Sequence, residues 1–338
     1  MNYTRSEAKA WAAANWKGVC NVIMPSFSTD LSGLNEEAIR FDVRKNIDHG
    51  FWGALLVSEC ATTDDEYRRF MEICVDEAGD KQKFLMHGTF DTQEKTVAMA
   101  KEAEKIGVEG ILIGHPNSFY PKTEDELFDY IKVIAGATDL CTSLFITVQM
   151  NLTRMHPSGY PVDVIRRSAE IENVVAIKYE VGRPGIAGDL EIYKALKGSG
   201  VLFSDPLEAH SPLCVEYFEQ QWMGTSNYEW WGGEVPKYYN LLLEGKFDEA
   251  MEIYWRLQPA RNARGAIQAT VSGANFIHRS LWKYQQWLQG YNGGRMRQPV
   301  AKLNDGQMSQ MRDSLLKSGF TDVPEFDPQA FYDGRVKG

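Results

Sequence analysis

The segment KFLMHGTFDTQEKTVAMAKEAEKIGVEGILIGHP, residues 83–116, decides the fold class. Its apolar runs at 83–89 and 110–116 enclose residues 92–107, where apolar side chains recur with a period near 3.6. Near-continuous apolar runs are typical of strands in a parallel sheet whose faces are covered. The segment therefore predicts a strand–helix–strand unit.

The same unit recurs from residue 17 to about residue 240. Further apolar runs at 18–24, 53–59, 143–150, 174–180, 201–205 and 222–227 bring the total to eight. Eight such units close into a (β/α)8 TIM barrel, and an open doubly wound sheet is the competing fold. No GxGxxG motif follows the first run, which argues against the open sheet. We predict an α/β protein in which residues 1–244 form an N-terminal helix and the barrel.

Helix boundaries are predicted by threonine at the start and glycine at the end. The predicted caps are Thr63, Thr92 and Thr123, and the predicted end points are Gly50, Gly79, Gly107 and Gly198. Residues 245–338 are predicted to be a C-terminal helical extension with a tail. One helix is expected over 245–265, one or two over 266–290 and another over 305–319, while the polar tail after Gly319 is expected to be extended or partly disordered.

Composition excludes several classes of protein. The 338 residues include 36 Lys and Arg and 46 Asp and Glu, a net charge of −10 that argues against a nucleic-acid partner. The sequence contains no apolar run of about 18 residues, so it predicts no membrane span. The five cysteines are scattered without a CxxC pair, which argues against a disulfide framework or a zinc knuckle and favours reduced thiols in the cytoplasm.

Active sites of such barrels lie at the C-terminal ends of the strands. The polar residues expected there are Ser58, Glu59, His87, Thr89, His115, Asn117, Tyr120, Gln149, Asn151, Lys178, Glu180, Asp205, Glu208, His210, Ser226 and Asn227. Ionisable groups concentrated at one rim are hard to explain by packing alone. We therefore expect the catalytic chemistry among these side chains.

Lys178 is the sharpest signal. Strand alternation places Val174, Ala176, Lys178 and Glu180 on one face, so Lys178 points into the barrel mouth if that face is the interior. Desolvation there lowers the pKa of a lysine, and the neutral amine attacks a carbonyl to form an imine. The competing interpretation is a rim lysine that reaches water or pairs with Glu180.

Each of the other candidates has an alternative interpretation. Glu59 is either an acid/base group or a buried carboxylate bound by backbone N–H groups. Glu59, His87, His115 and His210 also define a second hypothesis, a metal-dependent lyase or hydrolase, although no HxH or HExxH spacing supports it. Trp230, in an aromatic cluster after the eighth run, is either an aryl platform or core.

Four segments in order resemble the dihydrodipicolinate synthase / N-acetylneuraminate lyase family of class I aldolases and lyases. They are GVCNVIMPSFSTDLSGLNEEAI, SECATTDDEY, NVVAIKYEVG and YNGGRMRQPVAKLNDGQMSQMRDSLLKSG, and the resemblance spans about residues 17–320. The segment around Lys178 and Tyr179 is most similar to hydratase-aldolases of the trans-o-hydroxybenzylidenepyruvate type. The resemblance implies that Lys178 is the Schiff-base lysine. It also implies a homotetramer, a small 2-oxo acid substrate, and no cofactor or metal for catalysis.

Two departures from the family pattern affect the remaining roles. The family carries a Gly-Thr-Thr or Gly-Thr-Phe stretch that binds the substrate carboxylate, where this chain has only Ser58, which we expect to act with Thr89 or Ser226. The family also carries a proton-shuttling Tyr at the end of strand 5, where this chain reads FITVQMNLTRM. The residues expected to orient a water are Gln149, Asn151, Thr147 or Thr153. Those expected to move protons are Tyr120, Glu59, His87 or His115. A non-catalytic homologue that binds a 2-oxo acid is the third hypothesis.

Overall fold

Eight parallel strands form a nearly closed barrel, and the fold is the predicted (β/α)8 class with C-terminal helices. The computed structural model describes residues 3–116, 118–147, 150, 152–181, 185–271 and 277–337. The strands are β1 (Gly18–Ile23), β2 (Gly53–Leu56), β3 (Lys83–Gly88), β4 (Gly110–Ile113), β5 (Cys141–Thr147), β6 (Val174–Glu180), β7 (Leu202–Ser204) and β8 (Trp222–Met223). Each coincides with a predicted apolar run, and their side chains are almost all buried, as a covered parallel sheet requires.

The strand order is β7-β6-β5-β4-β3-β2-β1-β8, so neighbours in the chain are neighbours in the sheet. Between β7 and β8, at the two ends of this order, the backbone N–H of Gly224 donates to the hydroxyl of Ser204 over 3.1 Å. Lys178 on β6 is in register with Phe145 on β5 and with Ser204 on β7. This register places the side chains of β5 and β7 beside the lysine.

Helices follow the strands along the chain. They are α1 (Ala8–Asn15), α2 (Glu36–Asp48), α3 (Asp64–Ala78), α4 (Gln93–Ile106), α5 (Glu124–Ala135), α6 (Val162–Ala169), α7 (Ile186–Leu196), α8 (Ser211–Phe218), α9 (Glu234–Leu243), α10 (Phe247–Arg256), α11 (Gln258–Val271), α12 (Ile277–Leu288), α13 (Asp305–Lys317) and α14 (Pro328–Asp333). Thr63, Thr92 and Thr123 cap α3, α4 and α5 as predicted, because each hydroxyl accepts a backbone N–H of the first turn. No described helix has both the length and the apolar composition needed to cross a bilayer.

Two compact units divide the chain. Unit 1 comprises residues 1–20, 52–58 and 83–226, and unit 2 comprises residues 21–51, 59–82 and 227–338. Unit 1 has a tryptophan cluster in its core, where the ring centroids of Trp16 and Trp222 are 4.8 Å apart and Trp52 packs edge-on against Trp222. In unit 2, helices α2 and α3 pack on each other, as do α11 and α13.

The prediction of one helix over 245–265 is wrong. The chain forms α10 and α11 there, with the break at Leu257. Pro259 has no N–H with which to continue the bonding of α10, but a proline is well tolerated in the first turn of a new helix. The backbone N–H of Arg261 accordingly donates to the carbonyl of Leu257, which begins α11.

The prediction of an extended or partly disordered tail is also wrong. The tail contains α14, and Phe331 on that helix is buried against Tyr284 and Trp287. Arg335 then donates to the backbone carbonyls of Trp287 and Tyr291. One buried aromatic ring and these hydrogen bonds order the tail. The polar composition of the segment did not predict them.

Candidate active site

Lys178 is a buried lysine at the C-terminal end of β6. Its side chain is only 7% exposed, in a strand whose preceding residues are fully buried. A lysine ammonium is rarely buried without a partner, because removing its charge from water is costly. Lys178 has partners on its own strand, β6, and on the neighbouring strand β5.

Two groups contact the amine within unit 1, and the charge of the amine acts on a third. The Glu180 carboxylate lies 2.9 Å from Nζ of Lys178, and Nζ lies 4.1 Å from the ring centroid of Phe145. Burial raises the pKa of the Cys20 thiol on β1 well above its usual value, and the charge of Lys178 opposes that rise. The competing interpretation was a rim lysine that reaches water or pairs with Glu180. The structure has the pairing with Glu180, but the amine is buried and does not reach solvent.

His87 lies between two hydroxyl groups at the ends of β2 and β3. Its Nδ1 is 3.2 Å from Oγ of Ser58, and its Nε2 is 3.1 Å from Oγ1 of Thr89. The ring is buried and both nitrogens are engaged, so its orientation is fixed. The structure thus brings together three of the predicted residues.

His115 and Tyr120, both after β4, have different surroundings. The His115 ring stacks on Phe119 and Tyr130, and neither ring nitrogen has a hydrogen-bond partner among the described residues. Burial lowers the pKa of His115 to about 3. Tyr120 is 67% exposed, and the guanidinium of Arg154 lies 3.9 Å from its ring centroid. His115 is therefore a neutral imidazole at neutral pH, and Tyr120 is a surface residue of the described chain.

Glu59 and Trp230 belong to unit 2 and are tied to side chains there. The Glu59 carboxylate forms an ion pair with Arg279, whose guanidinium also stacks on Trp282. Trp230 is buried, with its ring centroid 3.7 Å from that of Trp231. Glu59 therefore has a guanidinium partner, and Trp230 is part of the core of unit 2.

The remaining predicted residues are partly described. Ser226, after β8, is half-buried, while Gln149, Asn151 and Asn117 lie outside the described residues. β5 ends at Thr147, which is buried and in register with Glu180. A hydroxyl on β5 therefore stands beside the partner of Lys178.

The model of the dihydrodipicolinate synthetase family matches residues 15–317. This chain belongs to that family. Its relatives include 4-hydroxy-tetrahydrodipicolinate synthase of Acidothermus cellulolyticus, 26% identical over 290 residues that cover 82% of this chain and 85% of the relative. The enzyme of the same name from Methanothrix thermoacetophila is 25% identical over 314 residues, which cover 89% and 97%.

Solved structures share the fold of this family member. Dihydrodipicolinate synthase from Oceanobacillus iheyensis superposes with a TM-score of 0.76 at 15% identity, covering 92% of this chain and 99% of that one. PhdJ bound to a substrate intermediate superposes with a TM-score of 0.74 at 16% identity, covering 94% and 97%. Dihydrodipicolinate synthetase family members are Schiff-base lyases and aldolases, and this chain is an enzyme of that lyase class.

The second hypothesis placed a metal on Glu59, His87, His115 and His210. The described residues contain one group of three side chains arranged to hold a metal, Asp189, Asp205 and His210. It includes one of the four hypothesised ligands, and the other three make the separate contacts given above. No described grouping therefore supports the four-residue set.

Sequence reasoning missed several neighbours that the structure reveals. Phe145 lies against the Lys178 amine, the charge of Lys178 acts on the Cys20 thiol, and Arg279 pairs with Glu59. The position of Phe145 beside Lys178 could have been predicted from strand register, because β5 and β6 are consecutive and parallel. Nothing local in the sequence links Arg279 to Glu59, since 220 residues separate them.

Proposed function

We propose that this family member forms an imine between Lys178 and the keto group of a 2-oxo acid of the pyruvate type. The observation that carries the proposal is a primary amine that is almost fully buried at the C-terminal end of a barrel strand, where active sites of this fold lie. A carboxylate stands 2.9 Å from that amine. Membership of a family of Schiff-base lyases supports the same chemistry.

The proposed reaction begins with proton transfer from the Lys178 ammonium to Glu180. The neutral amine adds to the keto carbon to give a carbinolamine, which takes back the proton from Glu180 and loses water to give a protonated imine. The protonated imine at C2 withdraws electrons from C3. The bond between C3 and C4 of the 2-oxo acid can therefore break or form. Addition or loss of water at an activated double bond uses the same electron sink.

Substrate binding is proposed to use the hydroxyls around His87. Ser58 and Thr89 are held by the two nitrogens of one buried ring, and a rigid pair of hydroxyls suits a carboxylate. The proposed roles of Gln149 and Asn151 in orienting water, and of Glu59, His87, His115 and Tyr120 in moving protons, stay predictions. So do the roles of Glu180 and Ser226 in substrate binding and of Trp230 beside an aryl group.

The finer proposal is a hydratase-aldolase that releases an aryl aldehyde and pyruvate. It rests on the NVVAIKYE segment around Lys178 and is compatible with the fold shared with PhdJ. We also propose that the protein is a homotetramer and that it acts in the cytoplasm. Turnover of an aryl-substituted 2-oxobutenoate, followed by detection of the aldehyde, tests the substrate class. Turnover of small aliphatic 2-oxo acids alone would refute the aryl preference.

Reductive trapping tests the imine. Incubation with pyruvate and borohydride is expected to add mass to the peptide that contains Lys178. Lys178→Arg should remove the adduct and lower kcat about 10³-fold or more, because a guanidinium does not form the imine. Lys132→Arg, at an exposed lysine on α5, should trap like the parent protein. An adduct on another lysine, or full turnover by Lys178→Arg, would reject the proposal.

A further inference from the structure

A second group of ionisable side chains lies in unit 1 at the end of β7. Asp189 comes from α7, Asp205 follows β7, and His210 ends the short helix before α8. One ligand atom from each residue lies within 4.8 Å of the others. Lys178 is in register with Ser204, so alternation directs Asp205, the next residue, to the opposite side of the strand. The group is therefore separate from the lysine.

Asp205 is held firmly in this group. Its backbone N–H donates to the side-chain oxygen of Gln220 over 2.8 Å, and the Gln220 amide donates back to the Asp205 carbonyl over 3.2 Å. One carboxylate oxygen accepts the N–H of Leu207, and the other lies 2.6 Å from Nδ1 of His210. This contact fixes the orientation of the His210 ring.

Asp189 has its hydrogen-bond partner within the group. It is only 2% exposed, its side chain shares a hydrogen bond with the Asp205 carboxyl, and it interacts electrostatically with His210, Tyr179 and Cys214. No described hydrogen-bond donor outside the group reaches it. Two buried carboxyl groups that share a hydrogen bond hold either a proton or a cation between them, because two like charges in a low dielectric repel strongly.

We propose that Asp189, Asp205 and His210 bind a divalent transition-metal ion of the zinc class. Two carboxylate oxygens and one imidazole nitrogen form a typical set of three protein ligands, with water in the fourth position. Ligand atoms that lie within 4.8 Å of one another can bind one ion through bonds of about 2.0–2.2 Å after small side-chain rotations. The ion takes the place of the proton that the two carboxyl groups share.

The surroundings favour a transition metal over calcium or magnesium. An imidazole ligand suits zinc, whereas calcium and magnesium prefer oxygen alone. The His210 side chain is 40% exposed and provides the route from solvent. Glu208, the other acidic group near His210, adds negative charge at this entrance.

Titration of the full-length chain with Zn²⁺ in a calorimeter tests the proposal, with Co²⁺ absorption as a spectroscopic readout. One ion per chain is expected, together with the visible bands of four-coordinate cobalt. Asp189→Asn, which keeps the shape of the side chain, and His210→Gln should each weaken binding at least about tenfold. Glu191→Gln, at an exposed acid on the same helix α7, should bind like the parent protein.

Two results would overturn the site. One is the absence of saturable binding at about 1 mM metal, a weak affinity by any measure. The other is binding that neither Asp189→Asn nor His210→Gln weakens, which would indicate adventitious metal on other histidines. His210→Gln keeps the test valid if Asp189→Asn fails to fold, because His210 is partly exposed. Lys178→Arg should retain the metal, since the site is independent of the proposed imine.

Discussion

Lys178 and His115 are both polar side chains removed from solvent, but they differ in their partners. Lys178 has a carboxylate at 2.9 Å and an aromatic ring face. His115 packs against aromatic rings and has no hydrogen-bond partner among the described residues. A paired buried amine can exchange a proton with its partner, whereas an unpaired buried imidazole stays neutral.

His115 should make the fold sensitive to acid. Burial lowers its pKa to about 3 from an ordinary value of ~6.5, so the unfolded chain binds a proton that the folded chain refuses. Stability from this residue is therefore complete above pH ~6.5 and is lost as the pH falls toward 3. His115→Phe should reduce the acid slope of the unfolding free energy by up to about 1.4 kcal/mol per pH unit.

Urea unfolding at several pH values measures that slope. At pH 7 the variant should differ from the parent by less than about 1.5 kcal/mol, because the imidazole makes no described hydrogen bond and the phenyl ring fills a similar volume. Identical slopes for the two proteins between pH 6.5 and pH 4 would contradict the prediction.

At the scale of the element, the sheet depends on glycine where strands approach closely. A Cβ at Gly110, the first residue of β4, would collide with the backbone carbonyl of Cys141 on β5 and reach 3.0 Å from Leu85 on β3. A backbone atom in a paired strand cannot move away cheaply. Gly110→Ala should therefore lower the free energy of unfolding by about 1–3 kcal/mol.

Gly265 is the matched control, because a Cβ there meets nothing within 4 Å. It lies inside α11, where glycine is less favourable than alanine by about 0.5–1 kcal/mol. Gly265→Ala should consequently stabilise the chain by that amount in the same denaturation assay. Equal effects of the two substitutions would show that crowding between strands does not govern the cost.

The helix break at Leu257 belongs to the same scale. Periodicity favours a continuous helix over 245–265, since the apolar pattern runs through it. Pro259 decides the local outcome, because it lacks the N–H that α10 would need. A rule about one residue thus outweighs a pattern over twenty, and the signal was present in the sequence.

At the scale of the whole molecule, the tail is part of the folded protein. Phe331 is buried against Tyr284 and Trp287, and the amide side chain of Asn35 donates to the carbonyl of Val336. Phe331→Ala should therefore cost about 3–5 kcal/mol of unfolding free energy. Phe326→Ala, at a phenylalanine of the same tail that is 40% exposed, should cost less than about 0.5 kcal/mol.

Thermal and urea unfolding of both variants measure the difference. A chain ending before residue 327 should unfold at lower temperature than the full chain, since it exposes the surface that Phe331 covers. Equal stability of Phe331→Ala and Phe326→Ala would indicate that the tail contributes nothing to the fold.

The sequence by itself determined the (β/α)8 class, the eight strands, the threonine caps and the choice of Lys178 as the candidate nucleophile. These features depend on neighbours within a few residues, through alternation, helical period and capping hydrogen bonds. Only the tertiary structure decided that Glu59 pairs with Arg279, that His87 links Ser58 to Thr89, and that Asp189 faces Asp205. Such pairs join positions far apart in the chain, and burial, which sets their protonation and strength, exists only after the chain has packed.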